Sequence, residues 1–213
     1  MALVIHFIRH AESESNVQTN RVGGQQNHVP LTPKGEAQAN QLQRFLEQTN
    51  LHVHHIISSP AIRAHTTARL ATKHLNKEIE LDARIVEYSY GEWEGRLKEE
   101  VLNKENQHAW RSNLDFKAPG GETVHELIQR NKQALHEHTK KHYQEGEQKH
   151  ILWFSHGRAI RSLIADLLGN RELTFRASKE NTARSVLVYD GEHWHLHRYN
   201  DTKHLHAQTK KIL

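Results

Sequence analysis

Residues 3 to 10 read Leu3-Val4-Ile5-His6-Phe7-Ile8-Arg9-His10. A mostly apolar run of this length, bounded by charged residues, is typical of a buried strand. Two further runs of this kind, His55-Ile56-Ile57 and residues 150–154, alternate with helical patterns along the chain. This alternation predicts an α/β fold with a largely parallel sheet.

Three segments carry the signals of a helix start. Thr32-Pro33 and Ser59-Pro60 each place a capping residue before a proline, and the helix after Ser59-Pro60 is expected to run to about residue 75. Thr123 and Glu126 have the spacing of a capping box. We also expect one short helix over residues 97–111 and another from residue 157 to about 168.

The last part of the chain carries a hairpin signal. Two strands, residues 185–189 and 193–199, are joined at Asp190-Gly191, so they should be antiparallel. Residues 88–121 are irregular and rich in Gly, Trp and Glu. Because 213 residues suit one well-buried core, we predict a single domain, residues 1–213, in which 88–121 forms a lid-like insertion over the active site.

Composition limits the classes of function. The net charge of +4 and the pI near 9.3 suit an anionic ligand, and nucleic acid equally. However, no basic run reaches the length of a nucleic-acid patch, and Lys210-Lys211 is interpreted as a solvated tail. The absence of cysteine excludes a thiol nucleophile and a cysteine zinc site. No stretch approaches the roughly 20 apolar residues of a membrane span, so a cytoplasmic protein is expected.

Two predicted strands end in turns that contain histidine, Arg9-His10 and Ser155-His156-Gly157. A third turn, Ser58-Ser59-Pro60, delivers Arg63 into the first turn of its helix. Because ligands bind at the carboxyl ends of strands in open α/β sheets, these side chains should meet at one edge. Two arginines, two histidines and helix N-termini would form an anion site suited to a tetrahedral phosphate.

The groups at this edge are those that phosphoryl transfer requires. A neutral histidine can act as a nucleophile and form a covalent intermediate that water later cleaves. Arginines stabilise the charge on the phosphoryl oxygens. The leaving alcohol needs a proton from a carboxylic acid that reaches over the site, and the glutamate-rich residues 87–94 are the expected source.

These turns resemble the signature of the histidine phosphatase (phosphoglycerate mutase-like) superfamily. The likeness starts with Arg9-His10-Ala11-Glu12-Ser13-Glu14-Ser15-Asn16 and continues in the family's order along nearly the whole chain. Its further pieces are Pro30-Leu31-Thr32 with Gly35, Gln38 and Ala39, Ser58-Ser59-Pro60-Ala61-Ile62-Arg63-Ala64 with Thr67-Ala68, Glu87, Gly91-Glu92-Trp93-Glu94-Gly95, Pro119-Gly120-Gly121-Glu122, Ser155-His156-Gly157, and Asn200-Asp201-Thr202 with His204-Leu205. One Arg-His pair is weak evidence, whereas this ordered series is specific.

The resemblance implies a three-layer α/β/α sandwich that needs no metal and no cofactor and is transiently phosphorylated on His10. The catalytic residues it implies are His10, Glu87, Arg9, Arg63 and His156. The phosphate-binding residues it implies are Arg9, Asn16, Arg63, His156 and Gly157. Glu87 matches the usual proton donor, ahead of Glu92 and Glu94.

This chain departs from the family's usual pattern at four positions. It has Ala11 in place of glycine, Ser13 in place of threonine, Ser15 in place of a frequent tryptophan, and His28 where acidic residues are common. Ser13 keeps a hydroxyl group, and Ala11 leaves the backbone less free than glycine would. Ser15 removes a bulky wall, which predicts a different pocket shape, and His28 adds charge near the mouth.

Other residues have alternative interpretations. Ser155 is excluded as the nucleophile of a serine hydrolase, because that motif needs glycine where Trp153 stands. Trp93 and Trp110 either line the pocket or pack locally. The chain holds 20 histidines, so chance and solvent exposure explain two suggestive groups better than a zinc or nickel site does. Those groups are His193, His195 and His197, and His52, His54 and His55.

We therefore predict a phosphatase that hydrolyses small phosphate monoesters through phosphohistidine on His10. The short span from Glu87 to Pro119 resembles the compact phosphatase branch, since the mutases carry longer insertions there. Mutase-type phosphoryl transfer and a catalytically silent phosphate-binding module are the alternatives. The expected partner is a small phosphorylated metabolite, with no nucleic acid and no membrane, and a homodimer is left open.

Overall fold

The computed structural model describes residues 2–206, so Lys210-Lys211 lies outside the described part. Six strands of these residues form one sheet. They are β1 (Leu3–Arg9), β2 (Val53–Ser58), β3 (Glu80–Leu81), β4 (Lys149–Ser155), β5 (Arg184–Tyr189) and β6 (Trp194–Asp201). Their order across the sheet is β3-β2-β4-β1-β5-β6.

The sheet is parallel at its centre and antiparallel at one side. β1 pairs with β4, β4 with β2, and β2 with β3 in parallel, whereas β5 runs antiparallel to β1 and β6. The predicted α/β class with a mostly parallel sheet and an antiparallel edge is therefore confirmed. β1 lies in the interior of the sheet between β4 and β5, which explains its continuous apolar run.

Helices connect and cover the strands. They are α1 (Glu14–Val17), α2 (Pro33–Gln48), α3 (Ile62–Thr72), α4 (Lys98–Val101), α5 (Lys104–Ser112), α6 (Val124–His142), α7 (Gly157–Leu167), α8 (Leu173–Arg176) and α9 (Lys203–His206). Two 3-10 turns lie at Ala83–Ile85 and Gly91–Trp93. Across residues 2–206, no helix combines the length and the apolar character needed to cross a membrane.

Apolar side chains of β1 pack on both faces of the sheet because they alternate along the strand. Ile5 and Phe7 face a core that includes residues of α6 and α7. Ile8 faces a second core that includes residues of α2 and α3. Helices thus cover both faces, and the predicted three-layer α/β/α sandwich is confirmed.

Two of the three predicted helix starts are confirmed. Thr32 caps α2, and Thr123 and Glu126 form the capping box of α6. Ser59-Pro60 was wrong as a helix start, because α3 begins at Ile62 after Ala61 and already ends at Thr72. The side-chain Oγ of Ser59 instead forms a hydrogen bond with Nε2 of His156, in the turn after β4.

The helix predicted over residues 97–111 is also wrong in part, because it is two helices. α4 ends at Val101, and α5 begins at Lys104. Asn103 makes the break, since its side chain accepts from the N–H of Asn106, 2.9 Å away, in a new capping box.

Candidate active site

A cavity of about 360 Å³ opens at the carboxyl ends of β1 and β4. Its wall includes six of the predicted site residues, namely Arg9, His10, Asn16, Arg63, Glu87 and Gly157. Residues 88–121 add Tyr88, Tyr90, Lys98 and Trp110 to the wall. The turns that the sequence places at one sheet edge therefore surround one cavity.

His10 follows β1 directly and is 3% exposed. Its ring Nδ1 lies 2.7 Å from the carbonyl oxygen of Ala11. Since a carbonyl only accepts, Nδ1 carries the proton and Nε2 the lone pair. Burial first, and then the charges of Arg63 and Arg9, lower the pKa of His10 well below its usual value. The imidazole is therefore neutral near pH 7, as a nitrogen nucleophile must be.

Arg63 lies beside His10 in the first turn of α3. Its Nη1 and Nη2 donate to the carbonyl oxygens of Gln26 at 2.9 Å and Gly24 at 3.0 Å. Its Nε lies 3.3 Å from Nε2 of His10. The guanidinium group is held by backbone acceptors, so its positive charge is already in place before a substrate binds.

Arg9 brings a second guanidinium group to the cavity wall. Its Nη1 donates to the carbonyl oxygen of Lys179. Its Nε is buried and has no hydrogen-bond partner among residues 2–206. A Cβ at Gly157 would lie 3.3 Å from this Nε, so glycine allows Arg9 to lie closely against the start of α7. A phosphate oxygen would satisfy the unpaired donor.

His156 caps α7 and lies next to His10 without contributing to the cavity wall. The two ring centroids are 5.2 Å apart. Nε2 of His156 lies 2.8 Å from Oγ of Ser59. Burial first, and then Arg63 and His10, lower the pKa of His156 well below its usual value, so this ring is also neutral. The sequence analysis placed Ser59 in the third turn and in the family motif but gave it no contact with His156.

Glu87 lies in the wall against the first turn of α7. Its carboxylate accepts from the backbone N–H groups of Arg158 at 3.1 Å and Ala159 at 3.0 Å. Arg130 of α6 fixes the loop from behind, since its guanidinium donates to the carbonyl oxygens of Val86 and Glu87, both at 2.8 Å. A carboxyl group is thus held rigidly at the same cavity as His10.

The two lesser acid candidates lie elsewhere. Glu92 is exposed and does not contribute to the cavity wall. Glu94 accepts from the backbone N–H groups of Gln25, Gln26 and Tyr90 at 3.0 to 3.1 Å, which ties two loops together. Neither carboxyl group lines the cavity, so among the described residues Glu87 is the only acidic side chain in its wall.

Asparagine and threonine side chains fix the turn after His10, and one of them, Asn181, was overlooked in the sequence. Asn181 donates to the carbonyl oxygen of His10 at 2.9 Å and to Oδ1 of Asn16 at 3.0 Å. Oγ1 of Thr67 accepts from the N–H of Ala11 at 2.9 Å. These bonds connect the nucleophile's turn to α1, α3 and the segment before β5.

The cavity is strongly cationic. Seven Lys and Arg side chains line it against the single carboxylate of Glu87: Arg9, Arg21, Arg63, Lys98, Arg158, Arg161 and Lys179. Lys179 turns away, because its buried Nζ donates to Oγ of Ser185 and to a backbone carbonyl oxygen. Burial and then Arg9 lower its pKa to about 7. The remaining cations create a field that attracts anions.

Arg158 and Arg161 lie one helical turn apart at the start of α7. The guanidinium of Arg158 lies over the rings of Tyr88 at 4.9 Å and Tyr90 at 5.5 Å. Arg161 donates to the carbonyl oxygen of Ala177, and its Nε is buried with no partner among the described residues. Two arginines thus extend the positive wall beyond Arg9 and Arg63.

The sequence matches the profile of the histidine phosphatase superfamily (branch 1) over residues 5–202. This protein belongs to the histidine phosphatase superfamily. The family resemblance inferred from the ordered motifs is thereby confirmed.

Two curated relatives of this chain carry the name probable phosphoglycerate mutase GpmB. That of Salmonella choleraesuis (strain SC-B67) is 30% identical over 202 residues, which are 90% of this chain and 87% of the relative. That of Enterobacter sp. (strain 638) is 34% identical over 172 residues, 78% of this chain and 75% of the relative.

Solved structures share the fold over nearly the whole chain. Phosphoserine phosphatase from Entamoeba histolytica, in complex with 3-phosphoglyceric acid, superposes with a TM-score of 0.80 at 28% identity, covering 95% of this chain and 99% of that one. Bacillus stearothermophilus YhfR gives a TM-score of 0.84 at 26% identity, covering 96% and 100%.

The residues that depart from the family pattern, and the two tryptophans, differ in whether they line the cavity. Ser15 lines it, as does Trp110, whose Nε1 donates to the hydroxyl of Tyr90. Trp93 instead packs against Phe116 outside the wall. His28 is exposed and outside the wall too. Ala11 is fully buried and has no positive φ, so its backbone is unstrained.

Proposed function

We propose that this protein is a phosphatase that hydrolyses small phosphate monoesters through a phosphohistidine on His10. The observation that carries the proposal is the neutral His10 beside Arg63, with its proton held on Nδ1 by Ala11. Membership of the superfamily supports phosphoryl transfer as the chemistry. The 213-residue chain and the phosphoserine phosphatase of Entamoeba histolytica cover each other almost completely, which supports the compact phosphatase branch.

The first half-reaction is displacement at phosphorus. Arg9 and Arg63 bind the phosphoryl oxygens and stabilise the charge that develops on them. Nε2 of His10 forms a bond to phosphorus while the bond to the ester oxygen breaks. Glu87 gives its proton to the departing oxygen, which leaves as the alcohol.

The second half-reaction restores the enzyme. Water attacks the phosphorus of phospho-His10, and the carboxylate of Glu87 takes a proton from that water. The P–N bond breaks, inorganic phosphate leaves, and His10 regains its lone pair. His156 positions the nucleophile from the side, through its packing against His10 and its bond to Ser59.

Product analysis tests this proposal against mutase activity, which the name of the curated relatives favours. Purified protein is given a panel of phosphate monoesters, together with 3-phosphoglycerate in the presence of 2,3-bisphosphoglycerate. We expect free phosphate and alcohol in equal amounts. Dominant formation of 2-phosphoglycerate would instead establish a mutase. Phosphate binding without turnover of any ester would establish a silent binding module.

The cationic wall predicts a preference for esters that carry a second anionic group. Arg158→Gln should lower kcat/KM for phosphoserine or a phosphoglycerate about 10- to 100-fold, because one charge-assisted hydrogen bond contributes about 1.5 to 3 kcal/mol. For p-nitrophenyl phosphate, which has no second anion, kcat/KM should change less than about threefold. Steady-state kinetics on both esters measure the difference.

Arg69→Gln is the matched control, since it removes the same charge from an exposed position of α3 outside the cavity wall. It should leave both kcat/KM values unchanged. An equal loss on both esters in Arg158→Gln would mean that Arg158 serves the transferring phosphate or the fold, and the predicted preference would be wrong.

A further inference from the structure

Three potential metal ligands converge outside the cavity wall, where β2 and β3 form one edge of the sheet. His55 belongs to β2, Glu80 to β3 and His142 to the last turn of α6. One ligand atom from each residue lies within 4.8 Å of those of the other two. Nε2 of His55 is 2.6 Å from Oε2 of Glu80, and the rings of His55 and His142 have centroids 4.4 Å apart.

His142 makes this cluster more than an ion pair. Its Nε2 is buried and has no hydrogen-bond partner among the described residues. Buried polar atoms are rarely left unpaired without a reason. Burial first, and then His55 and Lys141, lower the pKa of His142 to about 4, so its ring is neutral and keeps a lone pair near pH 7. Two imidazoles and one carboxylate thus stand together.

We propose that His55, Glu80 and His142 bind a divalent transition-metal ion, with Zn²⁺ as the best fit. Two histidines and one carboxylate are an established donor set for zinc, with a water molecule as the fourth ligand. A tetrahedral zinc ion with bonds of about 2.0 to 2.1 Å needs ligand atoms about 3.3 Å apart. When the ion binds, the ligand atoms of His55 and Glu80 would move slightly apart and that of His142 would move inward. Rotation of the three side chains would produce both movements.

To bind the ion, Nε2 of His55 gives up its hydrogen bond to Glu80, and the neutral ring carries its proton on Nδ1 instead. Lys141 competes with the ion, because its Nζ lies 2.8 Å from the same Oε2 of Glu80. Its side chain is 55% exposed, so it can turn into solvent when the ion binds. Removing Lys141 should therefore strengthen binding.

The bound ion would stabilise the fold and take no part in the chemistry. It would join β2, β3 and α6 at Glu80, where the segment that leads to Glu87 begins. α6 already binds this segment at several points, among them the contact of His138 with Asp82 at 3.0 Å and that of Arg130 with the carbonyl oxygen of Glu87 at 2.8 Å. The ion would add a further connection.

Neighbouring histidines make weaker candidates. Within residues 2–206, the cluster of His55, Glu80 and His142 is the one group of three in which the ligand atoms converge. His195, from the alternating set in β6, is 53% exposed and instead bonds Asp190 at 2.7 Å. His55 was interpreted in the sequence as a chance, solvent-exposed histidine of a histidine-rich chain. Spacing could not reveal its two partners, because they lie 25 and 87 positions away.

The test is metal binding by the full chain without a histidine tag. After treatment with a chelator, the protein is titrated with Zn²⁺ by calorimetry and with Co²⁺ by visible absorption. We expect the protein to bind one equivalent of Zn²⁺ tightly, to give a tetrahedral Co²⁺ spectrum and to have a higher Tm with Zn²⁺. His142→Gln and Glu80→Gln should each lower the affinity for this Zn²⁺ at least about tenfold. Lys141→Gln should raise the affinity, and His195→Gln should leave it unchanged.

Other outcomes overturn the proposal. They are the absence of tight Zn²⁺ binding by the wild-type protein, undiminished Zn²⁺ binding by both His142→Gln and Glu80→Gln, and loss of Zn²⁺ binding in His195→Gln. If circular dichroism shows that His142→Gln does not fold, Glu80→Gln at the sheet edge decides alone. Phosphatase activity without metal is expected in all variants, because none of these residues lines the cavity.

Discussion

His10→Ala should lower the rate of phosphate ester hydrolysis at least about 10⁴-fold, since loss of a covalent nucleophile costs this much or more in other enzymes. Nε2 of the buried His10 lies beside Arg63, and among the described residues no other histidine lines the cavity. Release of free phosphate measures the rate. Rapid quenching with labelled substrate should show an acid-labile phosphoryl group on the wild-type protein and none on the variant.

His28→Ala is the control for this substitution, because His28 is exposed and lies outside the cavity wall. It should keep the wild-type rate. Undiminished turnover by His10→Ala would exclude the phosphohistidine intermediate. An unchanged Tm in His10→Ala would show that the loss concerns chemistry and not folding.

The pH dependence gives a second view of His10. Protonation of its ring blocks attack on phosphorus, so activity is lost as the pH falls through the pKa of His10. Burial and the charges of Arg63 and Arg9 lower this pKa well below its usual value of about 6.5. Consequently, kcat/KM should show no loss that is due to His10 between about pH 7 and pH 6.

Much of the fold could be predicted because its signals are local. The apolar run of β1, the capping pair Thr123 and Glu126, and the Asp190-Gly191 turn depend only on neighbouring residues, and each lies where the pattern placed it. β3 could not be predicted, because a strand of two residues, Glu80–Leu81, has no periodicity. It exists because it pairs with the end of β2.

The site residues that directly follow predicted strands could be predicted from the sequence. Arg9, His10 and Arg63 follow strands that the sequence marks clearly. Ser59 could not be assigned, because the same Ser-Pro pattern also signals a helix start, and only its contact with His156 decides between them. Arg158 and Arg161 could have been predicted as site residues. They are three positions apart in the helix that follows Gly157, so they fall on one helix face at the site.

Glu87→Gln separates proton donation from positioning. The amide keeps the size of the side chain and one acceptor for the N–H groups of α7, but it has no proton to donate to the leaving oxygen. For an alkyl phosphate, kcat/KM, which reports transfer of the phosphoryl group to His10, should fall about 10²- to 10⁴-fold, the usual contribution of general acid catalysis. For p-nitrophenyl phosphate the loss in kcat/KM should be much smaller, because nitrophenolate leaves without a proton.

Comparing the losses on the two esters distinguishes proton donation from distortion, because a distorted cavity would slow hydrolysis of both esters equally. Such an equal loss would make Glu87 a positioning residue for the start of α7, and the acid would have to be sought elsewhere. Glu92→Gln removes a carboxyl group of the same loop from an exposed position and should change neither rate. With Glu87→Gln, the rate of dephosphorylation of phospho-His10 should also fall, since the same carboxylate takes the proton from the attacking water.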